Sequence, residues 1–236
     1  MNLPAASFGL FGEAFEFVFS GREAETGGVT VGGTSQVLDL AARQLEVTLL
    51  ALAVAVLLAL PAGLLLGHYG RGEFLAVSAG NAGRAIPELA LIALMAAAVG
   101  VGMFNLVVAL AILGIPPILT NTFVGIRQVD RSSVEAARGM GMTERKIITR
   151  VELPLAVPTI MGGVRTAAIN IIATATIAPL AGILTLGDFI IARNVYGDAG
   201  VLAGAVLVAL MALALEAALA GAQWAMTSRG MKLKRS

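Results

Sequence analysis

Two opposite charges stand inside stretches that are otherwise strongly apolar: Arg165, between Leu155 and about Leu180, and Glu216, between Val201 and Met226. Charged side chains at membrane depth are costly alone, so they face protein or water and find partners. At about 1.5 Å per helical residue, Arg165 lies roughly 12 Å and Glu216 about 16 Å from the same side of such spans, which makes them candidates for an ion pair that fixes helix packing or, as the alternative, for a role on a polar passage. Glu88, one helical turn after Arg84, suits either a local pair with that arginine or a charged gate on a passage. Asn121, Asn170, Thr174 and Thr176 are the remaining polar side chains suited to line a passage, although a membrane threonine often spends its hydroxyl on its own backbone. No catalytic set emerges, and the chemistry expected is non-covalent: ion pairing and hydrogen bonding along a polar route. Cysteine is absent and His68 is the only histidine, which excludes disulfides and argues against thiolate or histidine metal sites. No GxxxxGK[ST] phosphate loop occurs. The chain is therefore not expected to be an enzyme or to hold a metal or cofactor, and no nucleic-acid partner is expected.

The elements that must position these residues are membrane helices. With 58% hydrophobic residues, 13% charged residues and a mean hydropathy of +0.88, the chain has more apolar surface than one soluble core could hide. The fold class expected is all-α, a polytopic membrane helix bundle. Spans need roughly 20 mostly apolar residues, and Leu45–Gly67, Phe104–Ile126, Leu155 to about Leu180 and Val201–Met226 meet that length. A fifth, Ile86–Met103, is shorter and would draw on residues 74–85 as a tilted or interfacial extension. About five transmembrane helices are thus predicted. Phe8–Ser20, apolar but carrying Glu13 and Glu16, reads as an interfacial helix; without a basic start or a small-residue cleavage site it is expected to be retained. The organisation predicted is an extracytoplasmic segment over residues 1–44, a membrane domain over 45–228 and a basic cytoplasmic tail over 229–236. Pro116, Pro117 and Pro179 should interrupt their helices as hinges or kinks. Gly63 to Gly67 and Gly162-Gly163 should let helix backbones approach closely.

Charge fixes the orientation. Arg71, Arg84, Arg127, Arg131, Arg138, Arg145, Lys146, Arg150, Arg229, Lys232, Lys234 and Arg235 fall on one side, and only Arg22, Arg43 and Arg193 on the other. The positive-inside rule makes the first side cytoplasmic, which puts the N-terminus outside and the C-terminus inside. The segment Gly187 to Gly200, with Asp188 and Arg193, then lies outside as a candidate outer gate or contact for an external protein.

The cytoplasmic loop at 129–156 is distinctive. Ser132 or Ser133 is a candidate N-cap for a short helix with Glu135 in its first turn. Gly139 and Gly141 break that helix, and Thr143 offers a weak start to the next, which Pro154 and Pro158 delimit. Glu135-Ala136-Ala137, Gly139, Gly141 and, beyond them, Val151-Glu152-Leu153-Pro154 resemble the cytoplasmic EAA loop of ATP-binding cassette importer permeases. Val151 stands where that family usually has Ile. The resemblance implies a type I importer permease (MetI-like) fold. It also implies that Glu135, Ala136, Ala137, Gly139, Gly141, Leu153 and Pro154 couple the chain to a separate ATPase, with Ala136 and Ala137 small enough for close docking.

Further segments are similar to the permeases for glycine betaine, carnitine and choline. They are Ala85-Ile86-Pro87 with Leu89-Ala90-Leu91, Pro116-Pro117-Ile118-Leu119 with Asn121-Thr122, Val129-Asp130, Gly139 to Thr143, and Leu186 to Ile190. Departures are Glu88, where that family usually has Ser or Thr, and Ile183-Leu184-Thr185, which replaces a more glycine-rich turn. The resemblance implies a prokaryotic cytoplasmic-membrane importer with two permease chains (identical or related), ATPase subunits that carry the ATP and Mg, and an extracytoplasmic binding protein that chooses the substrate. One Trp and two Tyr leave little material for an aromatic cage around a quaternary ammonium group. The alternative within the class is an importer for amino acids or another small polar solute. A stand-alone ion-coupled carrier or channel is a different class, disfavoured by the EAA loop and by the lack of a repeated half.

Overall fold

The computed structural model describes residues 3–74, 78, 80 and 85–227, with side chains from residue 9 onward. In chain order the elements are α1 (Leu3–Phe19), a hairpin of β1 (Gly21–Glu23) and β2 (Thr30–Gly32), α2 (Gly33–Tyr69), α3 (Glu88–Val99), α4 (Met103–Arg127), α5 (Arg131–Gly139), α6 (Glu144–Ile147), a π turn (Ile148–Glu152), α7 (Leu153–Thr174), a 3-10 turn (Ala175–Ala181), α8 (Gly187–Ile191) and α9 (Arg193–Met226). Among the described residues four helical stretches are long and apolar enough to cross a membrane: Gly33–Tyr69, Met103–Arg127, Glu144–Ala181 and Arg193–Met226. These contain the four long spans expected from sequence. The fifth is represented by α3, whose 12 residues reach only about 18 Å at helical rise. The expected extension over residues 74–85 lies mostly outside the described residues, as do Arg84 and the basic tail.

The chain forms two compact units whose boundaries fall inside the long helices. One comprises the described residues up to Leu50 with Leu89–Ala109 and Ile172–Ala214. Its core gathers Ala14, Phe17, Val31, Val37, Leu40, Leu186, Phe189, Tyr196, Ala203 and Val208. Phe17 meets Phe189 and Tyr196 edge-on, with ring centroids 5.1 and 6.3 Å away, the geometry that suits aromatic quadrupoles. α1 is therefore apolar on two sides, since Ala14 and Phe17 face this core while Phe11, Phe15 and Phe19 are exposed. The boundary expected at residue 45 falls within α2, which begins at Gly33. The polar residues 39–46 do not stop the helix. Gln44 is fully buried with its Nε2 donating to Ile172 O at 2.9 Å, and Arg43 turns outward to Glu46.

Gly187 opens α8 against the 3-10 turn so closely that a Cβ there would lie 1.7 Å from Thr176 O and 2.4 Å from its carbonyl carbon. Gly187→Ala should therefore cost about 3 kcal/mol or more, through displaced backbone. A thermal midpoint in detergent measures it. Gly162→Ala, where a Cβ meets nothing within 4 Å, should be neutral or slightly stabilising through helix propensity.

The other unit comprises the described residues of Ala51–Glu88, Leu110–Ile171 and those from Leu215 on. Its cluster is Ile126, Val129, Val134, Ala137, Ile147, Ala156 and Ile160. Glycines bring its helices together as expected at Gly63, Gly67 and Gly163 but not at Gly162, which faces open space. A Cβ at Gly63 would lie 2.6 Å from Thr122 Cβ, one at Gly67 2.8 Å from Ile126 Cβ, and one at Gly163 2.6 Å from Pro117 O. The prolines depart from expectation. α4 continues through Pro116 and Pro117 and α7 through Pro158, so Pro158 delimits nothing. Only Pro179 sits where the α-helix gives way to a 3-10 turn. Two adjacent prolines remove the two backbone donors that would serve the carbonyls of Ile112 and Leu113, and, separately, Asn121 Nδ2 donates to Pro117 O at 2.8 Å.

Candidate functional site

The loop between α4 and α7 folds as an elbow. Its N-cap is Asp130 rather than the expected Ser132 or Ser133: the carboxylate accepts from Ser132 N at 3.3 Å and from the Ser132 and Ser133 hydroxyls. A carboxylate is the stronger acceptor at a helix N-terminus, and the serines serve as its donors. The Ser132 hydroxyl, then its backbone N–H, hold the Asp130 carboxyl below the usual carboxylate range. A depressed folded pKa contributes stability above the ordinary value and loses it as pH falls through the lowered one. Acidification to about pH 5 thus leaves the elbow capped.

α5 ends as the glycines require. Gly141 has φ +80, and the bonds Gly141 N to Arg138 O at 3.0 Å and Met142 N to Ala137 O at 3.1 Å form a Schellman motif, which needs a left-handed residue at this place. Val134 and Ala137 are buried in the unit's own cluster, while Glu135, Ala136, Gly139 and Met140 face outward. Of the two alanines expected on a docking face, Ala136 is exposed and Ala137 is buried, because three-residue spacing carries it inward with Val134. Thr143 starts α6 without a side-chain cap bond. Leu153 and Pro154 begin α7 directly after the π turn, inside one helical stretch from Glu144 to Ala181, so the missing proline N–H removes a helix donor where that turn ends.

Sequence reasoning missed the charged cluster behind the elbow. Arg138 Nε and Nη2 donate to Glu144 Oε1 and Oε2, both at 2.9 Å, and Glu144 raises the Arg138 pKa. His68 lies 3.0 Å from Glu144 through Nε2 and 2.6 Å from Glu152 through Nδ1. Among the described residues no group of three His, Cys, Asp or Glu side chains is placed to hold a metal ion.

The same unit contains a cavity of about 380 Å³. Its wall includes Glu88, Asn121 and Asn170, three of the expected passage residues, together with Thr120, Thr166, Pro116 and Pro117. Thr174 and Thr176 belong to the other unit and are not on this wall. Thr176 donates to Ala173 O at 2.7 Å, the backbone use that threonines in membrane helices favour.

Residues 55–229 match the family described as binding-protein-dependent transport system inner membrane component. The chain belongs to this family. It is 35% identical to the carnitine transport permease protein OpuCB of Listeria monocytogenes over 82% of this chain and 89% of that protein. It is 37% identical to the choline transport system permease protein OpuBB of Bacillus subtilis (strain 168) over 80% of this chain and 87% of that one. The fold is that of the inward-facing MetNI methionine ABC transporter, with a TM-score of 0.71 at 22% identity over 81% of this chain and 96% of that one. An amino acid ABC transporter gives a TM-score of 0.62 at 22% identity, over 80% and 94%. The chain is thus a multi-pass membrane permease with the type I importer fold expected from its sequence.

In this permease the candidate Arg165 and Glu216 pair forms. Arg165 Nε donates to Glu216 Oε1 at 2.8 Å and Nη1 to Gln223 Oε1 at 2.8 Å, while Gln223 Nε2 donates to Pro158 O at 3.3 Å. Gln223 was missed, yet its spacing was a signal. Glu216 and Gln223 are seven residues apart, as are Pro158 and Arg165, so each pair lies on one helix face. Arg165→Glu and Glu216→Arg should each lower the yield of folded permease about tenfold, and the double reversal should recover at least about threefold, because contacting residues are not additive. Size-exclusion recovery at matched expression reads this out, and no recovery in the double variant counts against the pair.

The two external candidates differ. Asp188 accepts from Tyr196 Oη at 2.6 Å and so braces the aromatic core. Arg193 is 71% exposed beside Asp198, a pairing worth little on a surface.

Proposed function

We propose that this permease is the membrane subunit of an ATP-driven importer for quaternary ammonium osmoprotectants: glycine betaine, choline and carnitine. The observation that carries the ATP-driven part is the elbow, a capped short helix whose inner side is packed by Val134 and Ala137 while Glu135, Ala136, Gly139 and the 76% exposed Met140 form an outer face. That face suits the groove of a separate ATPase, whose closure would move the elbow as a rigid body. Gly141 sets the turn, and Leu153 with Pro154 restarts the chain into α7. ATP and Mg bind on that ATPase, not on this chain. The cargo class is supported by the names of the carnitine and choline permeases to which this chain is 35–37% identical.

Transport passes the cavity wall of Glu88, Asn121 and Asn170, with Thr120 and Thr166 joining them. Two permease chains, identical or related, work with an extracytoplasmic binding protein that supplies specificity and meets the side carrying Arg193. The positive-inside rule supports an extracytoplasmic N-terminal segment over residues 1–44 and a cytoplasmic C-terminus, with the permease domain over 45–228 between them. The decisive experiment tags this chain, extracts it in mild detergent, identifies what co-purifies and assays ATP hydrolysis. Reconstituted vesicles are then tested with labelled choline, glycine betaine, carnitine and amino acids. A cassette ATPase at comparable stoichiometry, with ATP-dependent choline or betaine uptake, is the expected result. An active ATPase with uptake of amino acids only overturns the cargo, and a chain with no ATPase overturns the importer.

A further inference from the structure

His68 lies in the last turn of α2 and is the chain's only histidine. Its side chain is 3% exposed, with a carboxylate on each ring nitrogen: Glu152 at 2.6 Å on Nδ1 and Glu144 at 3.0 Å on Nε2. The two ring nitrogens lie on opposite edges of the imidazole, so one side chain meets both carboxyl groups at once, one through each nitrogen. Glu152 is 4% exposed, and a buried polar group left without a hydrogen-bond partner is costly.

The two carboxylates reach one ring because of the π turn. Positions eight apart in a regular α-helix are about 80° out of line, at about 100° per residue. Between Ile148 and Glu152 the chain takes the wider i→i+5 turn, with Leu153 N donating to Ile148 O, and advances less per residue. Glu144 and Glu152 are thereby brought to the same side. A π turn inserted in a helix costs regular bonding and often accompanies function; here its product is the two-sided grip on His68.

The grip continues outward and inward. Outward, Arg138 on α5 holds both oxygens of Glu144, so α5, α6, the π turn and the end of α2 are joined by one run of polar contacts. Inward, α2 is locked to α4 by Gly67 against Ile126 and Gly63 against Thr122, and α4 carries Thr120 and Asn121 on the cavity wall. We propose that His68 is a positioning residue for transport: a two-sided clasp on Glu144 and Glu152 through which movement of the elbow is passed to α2 and thence to α4. This rests on the importer reading above.

The test reconstitutes the full complex, permease with its ATPase and binding protein, and measures choline uptake and ATP hydrolysis in the same vesicles at equal incorporated permease. His68→Gln, whose single amide group cannot present two opposed nitrogens to the two carboxyl groups, should keep ATP hydrolysis within about twofold while uptake per ATP falls about tenfold, the scale of an ordinary coupling free energy. His68→Lys presents several donors from one side chain and should return uptake per ATP to within about threefold of wild type. Glu144→Gln, at a 44% exposed position, weakens only the outer arm without unpairing the buried Glu152. It should lower the ratio about threefold, and it keeps the test open if His68→Gln assembles poorly. An unchanged ratio in both His68→Gln and Glu144→Gln overturns the clasp, as does a His68→Lys variant no better than His68→Gln. Wild-type vesicles that neither hydrolyse ATP nor take up choline overturn the importer reading and the clasp with it, whereas coupled wild type beside equally coupled variants overturns the clasp alone.

Discussion

Gly141→Asp is expected to cut ATP-driven uptake below about 1% of wild type while leaving membrane insertion and extraction of the chain unchanged, a loss equivalent to roughly 3 kcal/mol in the coupled step. Gly141 holds φ +80 and closes the Schellman motif, and a side chain in that region costs about 1–2 kcal/mol, less for Asp and Asn, which bond locally. A Cβ at Gly141 meets nothing within 4 Å, so the damage is not to the chain's own packing. The new carboxylate would add a charge at this exposed turn, and if the elbow docks in an ATPase groove as proposed, an unpaired charge there is costly. Gly141→Asn separates the two effects: it tolerates the same backbone without the charge and should keep uptake within about threefold. Labelled-substrate uptake, with ATPase co-purification as the second readout, distinguishes them. Normal uptake by Gly141→Asp would remove the docking role from this turn.

The long spans were legible because an uninterrupted apolar run of more than 20 residues has few alternatives. Their ends were not: α2 starts at Gly33, twelve residues before the apolar run, because the bond from Gln44 to Ile172 O depends on a partner 128 residues away. The turn of the elbow was legible from Gly141, whose backbone need is local. Its cap was misplaced by two residues, since Asp130, Ser132 and Ser133 are all good caps and the choice is made by which of them is extended. The inward turn of Ala137 follows from its spacing to Val134 but only once the helix start is known. The His68 clasp had no sequence signal. A histidine before a glycine-rich bend and two glutamates eight apart join only through a π turn, and nothing in Ile148 to Glu152 announces one.

Glu88→Lys is expected to lower choline uptake about a hundredfold. Whatever Glu88 bonds to, the substitution changes the charge of the cavity wall by two units in a space of about 380 Å³, where a passing cation cannot stay far from it. One unit charge at about 6 Å and an effective dielectric near 20 is worth roughly 3 kcal/mol. With half of that screened by water, two units still amount to about a hundredfold. Glu88→Gln removes one unit, keeps hydrogen bonding and should lose about tenfold. Glycine betaine carries both signs, so its two ends offset each other near the wall and its uptake should fall less than that of choline in each variant. The comparison is made in the same vesicles with both labelled substrates and with ATP hydrolysis recorded. A Glu88→Lys permease that imports choline at the wild-type rate takes Glu88 off the path. Equal losses for both substrates locate the damage in the seating of α3 rather than in the charge of the wall.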